Sequence, residues 1–190
     1  MTKKFHHFSQ PDSFDCGATC LAMVAKHYGK SYSVQKLREM CSATRAGVSM
    51  LGISDAAEKL GFKTLGARLN FEKLANDVPL PCIVHWRQEH FVVVYDVKVQ
   101  NSKFKVQSSK EENTYGHTVL QSHGLKGFVR VADPAHGLIK FSVEEFCNNW
   151  LSMKKDGEDE GVALLLPVKL LWSLSAVGFY CTLPQESIFQ

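Results

Sequence analysis

The sequence predicts an α+β domain, because helical patterns fill its first sixty residues and strand patterns fill most of the rest. Apolar residues first recur every three to four positions, as they do on one face of a helix. Beyond residue 61 the spacing changes to alternation and to short β-branched runs, which are typical of strands. Helices followed by an antiparallel sheet are the pattern of the α+β class.

Three helices are predicted in the N-terminal part. The first begins near Cys16 and stops at Gly29, a residue type that commonly ends helices. Ser33 and Ser49 are placed to cap the second and third helices. The inward faces of these helices contain Leu21, Val24, Ala25 and Tyr28, then Val34, Leu37 and Met40, then Met50, Ile53, Ala57 and Leu60.

The central part predicts a strand, a short helix and a β-hairpin. Apolar residues alternate with other residues over 65–69, which indicates a strand, and a short helix is expected over 70–74. Two apolar runs, 79–86 and 90–99, are separated by the polar residues 87–89. This arrangement predicts a hairpin.

Further strands are predicted over residues 128–132, 138–141 and 161–166, with a charged turn over 154–160. Ser142 and Glu145 have the spacing of a capping box, which predicts a helix that starts at this point.

We expect one domain over residues 1–166 and a tail over 167–190 that acts as a linker or docking segment. Residues 101–126 are polar and have little apolar repeat, so they are expected to form a long hairpin extension or a mobile loop. The apolar part of the tail is shorter than a membrane span and contains Lys169. We therefore expect a soluble chain without a clear transmembrane helix.

Composition favours a reduced, globular protein. Hydrophobic residues make up 45% of the 190 residues and the net charge is only +3, without a basic block that would indicate nucleic acid. The six cysteines are scattered, and the first residues do not form a signal-peptide pattern. Reduced thiols in the cytosol are the expectation.

Cys16 is the candidate nucleophile. It lies at the predicted helix start, where unpaired backbone N–H groups and the helix dipole stabilise a thiolate. Gln10 lies close enough upstream for its amide to point at the same place, and Asp15 is predicted to cap the helix. Without this position, a buried core cysteine would be the simpler interpretation. Cys20 is predicted to be core, because it has no partner at zinc-ligand spacing.

The general base for such a thiol is expected to be a histidine, since imidazole exchanges protons near neutral pH. Of the eight histidines, His85 and His90 flank the predicted hairpin turn, and the pattern does not separate them. Asp133 ends a strand before Pro134, which exposes its side chain at the strand end. The alternative for Asp133 is a simple turn-initiating residue.

These residues carry a resemblance to a known family. The pattern Gln10-x4-Asp15-Cys16-Gly17 resembles the start of the bacteriocin-processing cysteine peptidases, also called double-glycine leader peptidases. Segments 44–49, 60–62, 90–94 and 132–135 resemble later family blocks in the same order, so that the likeness covers roughly residues 5–166. The 101–126 segment departs from the family, which connects these strands with fewer residues.

The resemblance implies a papain-like cysteine peptidase fold, with an N-terminal helical part packed on an antiparallel β-sheet. It aligns Cys16 with the nucleophile, His90 with the catalytic histidine, Asp133 with the residue that orients it and Gln10 with the oxyanion-hole donor. His85 is then either structural or part of the layer of residues that supports the catalytic ones. No cofactor and no metal are implied.

The resemblance also implies a substrate and partners. The substrate is a precursor whose leader peptide ends in Gly-Gly or Gly-Ala, and cleavage follows that pair. The partners are the transmembrane and ATP-binding parts of an ABC exporter, in the same or a separate chain. The expected location is the cytoplasmic side of the bacterial inner membrane.

Two other functions use the same residues. One is a catalytically silent module that only binds leader peptides; the joint presence of the four site residues argues against it. The other is a Cys-His-Asp acyltransferase of the transglutaminase kind, in which an amine takes the place of water. The order of the sequence blocks favours the peptidase.

Overall fold

The computed structural model describes residues 4–44, 47–99, 126–155 and 158–166, and these have the predicted α+β architecture. Helices and strands follow in the order expected from the sequence. The helices are α1 (Cys16–His27), α2 (Val34–Met40), α3 (Met50–Lys59), α4 (Phe71–Asn76) and α5 (Val143–Trp150). The strands are β1 (Leu65–Leu69), β2 (Cys82–Trp86), β3 (His90–Val99), β4 (Gly127–Asp133), β5 (Gly137–Ser142), β6 (Met153–Lys155) and β7 (Glu158–Leu165).

The described strands form one antiparallel sheet. Its order is β1-β7-β2-β3-β4-β5, and β6 pairs with β7 beside this path. The hairpin β2–β3 has Trp86 opposite His90 across the polar turn, as the sequence predicts. Strand β4 then runs back along β3, with Val93 opposite Ala132. The start of β3 and the end of β4 therefore lie at the same end of the sheet.

Helices cover both faces of this sheet. Helices α1, α2 and α3 pack on one face. Helix α1 lies against β3 and is buried along most of its length. Helices α4 and α5 pack on the opposite face through side chains such as Phe71, Phe146 and Trp150. The prediction of an N-terminal helical part packed on the sheet is confirmed, and the second helical layer is an addition to it.

Local capping explains where several helices begin. The Ser33 hydroxyl accepts a hydrogen bond from the Lys36 N–H, and the Ser49 hydroxyl accepts one from Gly52. At α5 the Ser142 hydroxyl and the Glu145 carboxylate form the complete capping box. These caps were predicted and are confirmed.

Two boundaries differ from the prediction. The charged turn expected over residues 154–160 is wrong, because β6 and β7 form a hairpin there with Lys154 opposite Asp159. Opposite charges facing each other across a strand pair stabilise it, although the segment has no apolar alternation to indicate a strand. The short helix after β1 covers Phe71–Asn76, with Asn70 as its N-cap, so it extends two residues beyond the predicted end.

Two predictions fall on residues that the structure does not describe. Strands β3 and β4 are paired with Val99 opposite Gly127, so the polar insertion connects two adjacent antiparallel strands. The form of that insertion over residues 100–125 and of the tail over 167–190 lies outside the described residues. Among the helices in the described ranges, none has the length and apolar character needed to cross a membrane.

Gly161 is required by the packing of α5 against β7. A Cβ atom at this position would lie 2.3 Å from Cε2 of Trp150, a fully buried ring that has no space to move away. Gly161→Ala is therefore expected to lower the free energy of unfolding by about 1–3 kcal/mol through overpacking. Urea denaturation measures the loss. Lys140→Ala, on the exposed side of β5, is the control and is expected to change stability little.

Candidate active site

Cys16 is the first residue of α1 and is held at the edge of the core. Its side chain is almost completely buried, and the helix that follows it is buried along most of its length. Asp15 occupies the N-cap position, but its side chain makes no capping hydrogen bond. The prediction that Asp15 caps the helix is therefore wrong for its side chain, which instead forms an ion pair with Arg38.

His90 and Asp133 meet at one end of the sheet. His90 is the first residue of β3 and Asp133 the last residue of β4, and the antiparallel pairing of these strands brings them together. The Nε2 atom of His90 lies 2.9 Å from Oδ1 of Asp133. This contact leaves Nδ1 of the imidazole for the interaction with Cys16.

Cys16 and His90 interact, and each shifts the pKa of the other. Burial alone would raise the pKa of the Cys16 thiol, but hydrogen bonding to the His90 side chain and to the Phe91 backbone reverses the effect, and the pKa is lowered. Burial would lower the pKa of His90, but its bonds to Asp133 and Cys16 raise the pKa to about 9. Both shifts favour a thiolate beside an imidazolium.

Asp133 is surrounded by donors. Besides His90, the Ala135 N–H donates to Oδ1 at 2.8 Å, and Nδ1 of His136 lies 2.9 Å from Oδ2. The backbone carbonyl of Asp133 accepts a bond of 2.8 Å from Nε2 of His7. Burial works against ionisation, but the bonds from His90, Ala135 and His136 outweigh it and hold the pKa of Asp133 well below its usual range. The group is therefore a carboxylate that accepts, and does not donate.

Gln10 lies next to this end of the sheet. Its backbone N–H donates to the Pro134 carbonyl at 3.0 Å, which fixes the segment before α1 to the turn after β4. Its side-chain Oε1 is buried and has no hydrogen-bond partner within the described part of the chain. The described residues therefore leave the acceptor oxygen of this amide unused.

His85, the other histidine of the hairpin, makes a different contact from His90. Its ring stacks on Phe91 with 4.9 Å between centroids, and burial lowers its pKa. Cys20 is fully buried, and its thiol donates to the Phe91 carbonyl, as expected of a core cysteine. No cluster of possible metal ligands is found among the described residues.

Three residues of this region were not identified from the sequence. His7 and His136 donate to Asp133, and Arg38 pairs with Asp15. His136 follows Asp133 by three residues, so the Asp-Pro turn gave a local signal for that contact. His7 and Arg38 contact residues far away in the chain, and sequence spacing carries no signal for such contacts.

The lowered pKa of Cys16 predicts selective alkylation. Iodoacetamide at pH 6 is expected to modify Cys16 several times faster in the folded protein than in urea, since the thiolate is the reactive form. The four other described cysteines are buried and have raised pKa values, about 11 for Cys41 and about 12 for Cys82 and Cys147. Peptide mass mapping locates the label, and Cys16→Ala gives the background. Equal rates in folded and unfolded protein would contradict the prediction.

A buried thiol paired with an imidazole and a carboxylate, on helices packed against an antiparallel sheet, defines the class of protein: a papain-like cysteine peptidase domain. The model of the Peptidase C39 family matches residues 4–114, more than half of the chain. The chain belongs to this family. The family predicted from the sequence, the peptidase class and the papain-like fold are thereby confirmed.

Similar proteins agree with this assignment. The chain is 33% identical over 146 residues to the lactococcin-G-processing and transport ATP-binding protein LagD of Lactococcus lactis subsp. lactis. The matched region covers 74% of this chain and 17% of LagD. It is 37% identical over 89 residues to the colicin V secretion/processing ATP-binding protein CvaB of Escherichia coli, covering 47% of this chain and 13% of CvaB. The chain thus spans less than a fifth of the length of these curated relatives.

Solved structures show the same fold. A double glycine motif protease from an AMS/PCAT transporter, solved in complex with the leader peptide, has a TM-score of 0.63 and 27% identity, covering 86% of this chain and 91% of that chain. The peptidase domain of Streptococcus ComA, a bi-functional ABC transporter, has a TM-score of 0.60 and 29% identity. The match covers 87% of this chain and 100% of that domain.

Proposed function

We propose that this domain removes the leader of a secreted, bacteriocin-like peptide precursor by cutting after a Gly-Gly type pair. Cys16 is the nucleophile, His90 the general acid and base, Asp133 the residue that orients His90, and Gln10 a donor to the oxyanion. The observation that carries the proposal is the continuous contact from Cys16 through His90 to Asp133. It supplies an activated thiol and a proton donor in one place.

In the proposed mechanism the Cys16 thiolate attacks the carbonyl carbon of the scissile bond. The negative charge that develops on the carbonyl oxygen is stabilised by the Gln10 amide and the Cys16 backbone N–H. The His90 imidazolium donates its proton to the leaving amine, and a thioester to the leader remains. His90 then takes a proton from water, which attacks the thioester and releases the leader with a free carboxylate.

Asp133 acts on His90 without accepting its proton. It stays ionised because three donors from His90, Ala135 and His136 hold the carboxylate. An ionised partner on Nε2 fixes the tautomer and the ring orientation of His90 and stabilises the imidazolium.

The substrate class rests on the relatives. LagD and CvaB are processing and transport proteins, and the AMS/PCAT protease was solved with a leader peptide. We infer that the precursor of this chain carries a leader ending in Gly-Gly or Gly-Ala. We also infer that the domain acts with the transmembrane and ATP-binding parts of an ABC exporter, in the same or a separate chain, at the cytoplasmic side of the inner membrane.

Cleavage of a synthetic leader–core peptide tests this proposal. The peptide carries Gly-Gly at the junction, and a matched peptide carries Val-Val at the same place. Mass spectrometry is expected to show one cut, directly after the glycine pair, and little cleavage of the Val-Val peptide. Tight binding without cleavage would favour the silent leader-binding module, and transfer of the leader to an added amine in preference to water would favour the acyltransferase.

The pH dependence of kcat/KM is expected to be bell-shaped. The thiolate forms as the pH rises through the lowered pKa of Cys16, and the imidazolium is lost as the pH rises through the pKa of His90, at about 9. Activity should therefore fall on the alkaline side near pH 9. A profile that keeps rising beyond pH 10 would contradict the assignment of His90.

Asp133→Asn is expected to move this alkaline limb to lower pH. The variant keeps a side chain of the same shape but removes the charge that helps to raise the pKa of His90. At neutral pH kcat should fall roughly 10²- to 10⁴-fold, because the imidazolium and the correct tautomer lose their support. Asp96→Asn, a β3 carboxylate that pairs with Arg130, is the control and should leave the profile unchanged.

A further inference from the structure

Asp15 is a buried carboxylate directly before the proposed nucleophile. Its side chain is only 2% exposed, although it lies at the N-cap position, where side chains commonly point to the helix N–H groups. Oδ1 of Asp15 accepts no hydrogen bond from the described residues. Burying a carboxylate away from water is costly unless a group of opposite charge lies beside it.

Arg38 of α2 is that partner. Its Nε lies 3.3 Å from Oδ1 of Asp15, and its Nη1 lies 3.3 Å from Oδ2 of Asp12. The Arg38 side chain is 41% exposed and the Asp12 side chain is 64% exposed, so both contact solvent. The Asp15 side chain, at 2% exposed, does not. The Arg38 guanidinium therefore lies between the exposed Asp12 and the buried Asp15, and its positive charge compensates the carboxylate at the start of α1.

The position of Asp15 creates a problem for a thiolate at Cys16. Two anions on neighbouring residues repel each other, and a nearby like charge disfavours the ionised form of a thiol. His90 supports the thiolate through a hydrogen bond, and Asp133 in turn contacts His90. The Cys20 thiol lies one turn further along α1. Arg38 is the cation that offsets Asp15.

We propose that Arg38 is a positioning residue for the nucleophile: it neutralises the buried Asp15 carboxylate and holds it against α2, so that Cys16 can be a thiolate at the first position of α1. This inference rests on the proposed role of Cys16. It assigns to α2 a function in the chemistry, in addition to its packing on α1.

Alkylation of Cys16 by iodoacetamide across pH 5–10 tests the pair in the full chain, without any substrate. Arg38→Gln is expected to move the thiolate titration to higher pH and to slow alkylation at pH 6 roughly three- to tenfold, since one unit of pKa is a tenfold change in the thiolate fraction. Asp15→Asn should not slow it. The double variant removes both charges and should return within about twofold of the parent.

Asp12→Asn is the matched control, because Asp12 also contacts Arg38 but is exposed. It should leave the alkylation profile unchanged. Arg38→Lys keeps the charge and should recover most of the rate at pH 6. A slow Arg38→Gln variant that the Asp15→Asn change restores is the expected result, and a merely structural Arg38 would not show this reversal.

Other results overturn the proposal. One is a folded Arg38→Gln variant with the parental profile, and another is a double variant as slow as Arg38→Gln. If circular dichroism shows Arg38→Gln unfolded, a folded double variant with parental alkylation supports the pairing, and an unfolded double variant overturns it. Failure of the parent to cut a Gly-Gly peptide would contradict the proposed function and leave these thiol measurements valid.

Discussion

Cys16→Ala is expected to abolish leader cleavage, with kcat lowered roughly 10⁵- to 10⁶-fold, the range seen when an essential nucleophile is removed. In the proposed mechanism the Cys16 thiol forms the covalent intermediate, and no other described cysteine has a lowered pKa. Leader binding should be retained, because the substitution removes one sulfur atom and leaves the start of α1 intact. Single-turnover cleavage measures the first effect and fluorescence anisotropy of a labelled leader the second.

Cys82→Ala is the matched control for this prediction. Cys82 is also buried, but it lies on β2 in the core on the opposite face of the sheet, and burial raises its pKa to about 12. The substitution should cost some stability and leave kcat within a few-fold of the parent. Full cleavage by Cys16→Ala, or the loss of cleavage in Cys82→Ala, would show that the nucleophile is elsewhere.

The elements that were predicted correctly depend on short-range chemistry. Ser33, Ser49 and Ser142 cap helices through contacts within three residues, so each signal is complete in a short segment of sequence. The hairpin β2–β3 is likewise defined by two apolar runs and the turn between them. The β6–β7 hairpin was missed because charge pairing across strands stabilises it, and charge pairing has no periodic pattern within one strand.

The site was predicted in a different way. The position of Cys16 follows from the helix start, but the choice of His90 over His85 came from the family resemblance, since both flank the same turn. The structure separates them through contacts between distant parts of the chain: His85 stacks on Phe91, and His90 meets Asp133, 43 residues later. Strand pairing decides which residue is available to the thiol, and single-sequence patterns do not contain it.

The same reason explains the missed residues around the site. Arg38 is 23 residues beyond Asp15, and His7 is 126 residues before Asp133. Each is a polar residue in a polar segment, where a solvated position is the ordinary expectation. Only the packing of α2 on α1, and of the N-terminal segment on the end of β4, turns these side chains into partners of the site.

His90→Asn is expected to have the second largest effect, with kcat lowered roughly 10⁴-fold or more, because nucleophile and base act as a unit. The variant removes the group that we propose as the proton donor for the leaving amine, and it removes the interaction that lowers the pKa of Cys16. Without His90, burial is expected to raise the pKa of the Cys16 thiol. The thiol should therefore also react more slowly with iodoacetamide at neutral pH. This second loss distinguishes His90 from a residue that only contacts the substrate.

His85→Asn is the control that tests the choice between the two hairpin histidines. It removes the ring that stacks on Phe91, whereas the hydrogen bonds to Cys16 and Asp133 come from His90. Its kcat and its alkylation rate should stay within several-fold of the parent. The opposite result, with His85→Asn inactive and His90→Asn active, would assign the base to His85 and would require the sheet end to rearrange when substrate binds. Since the pKa of His90 is raised to about 9 by partners already in place, the structure predicts that no such rearrangement is needed.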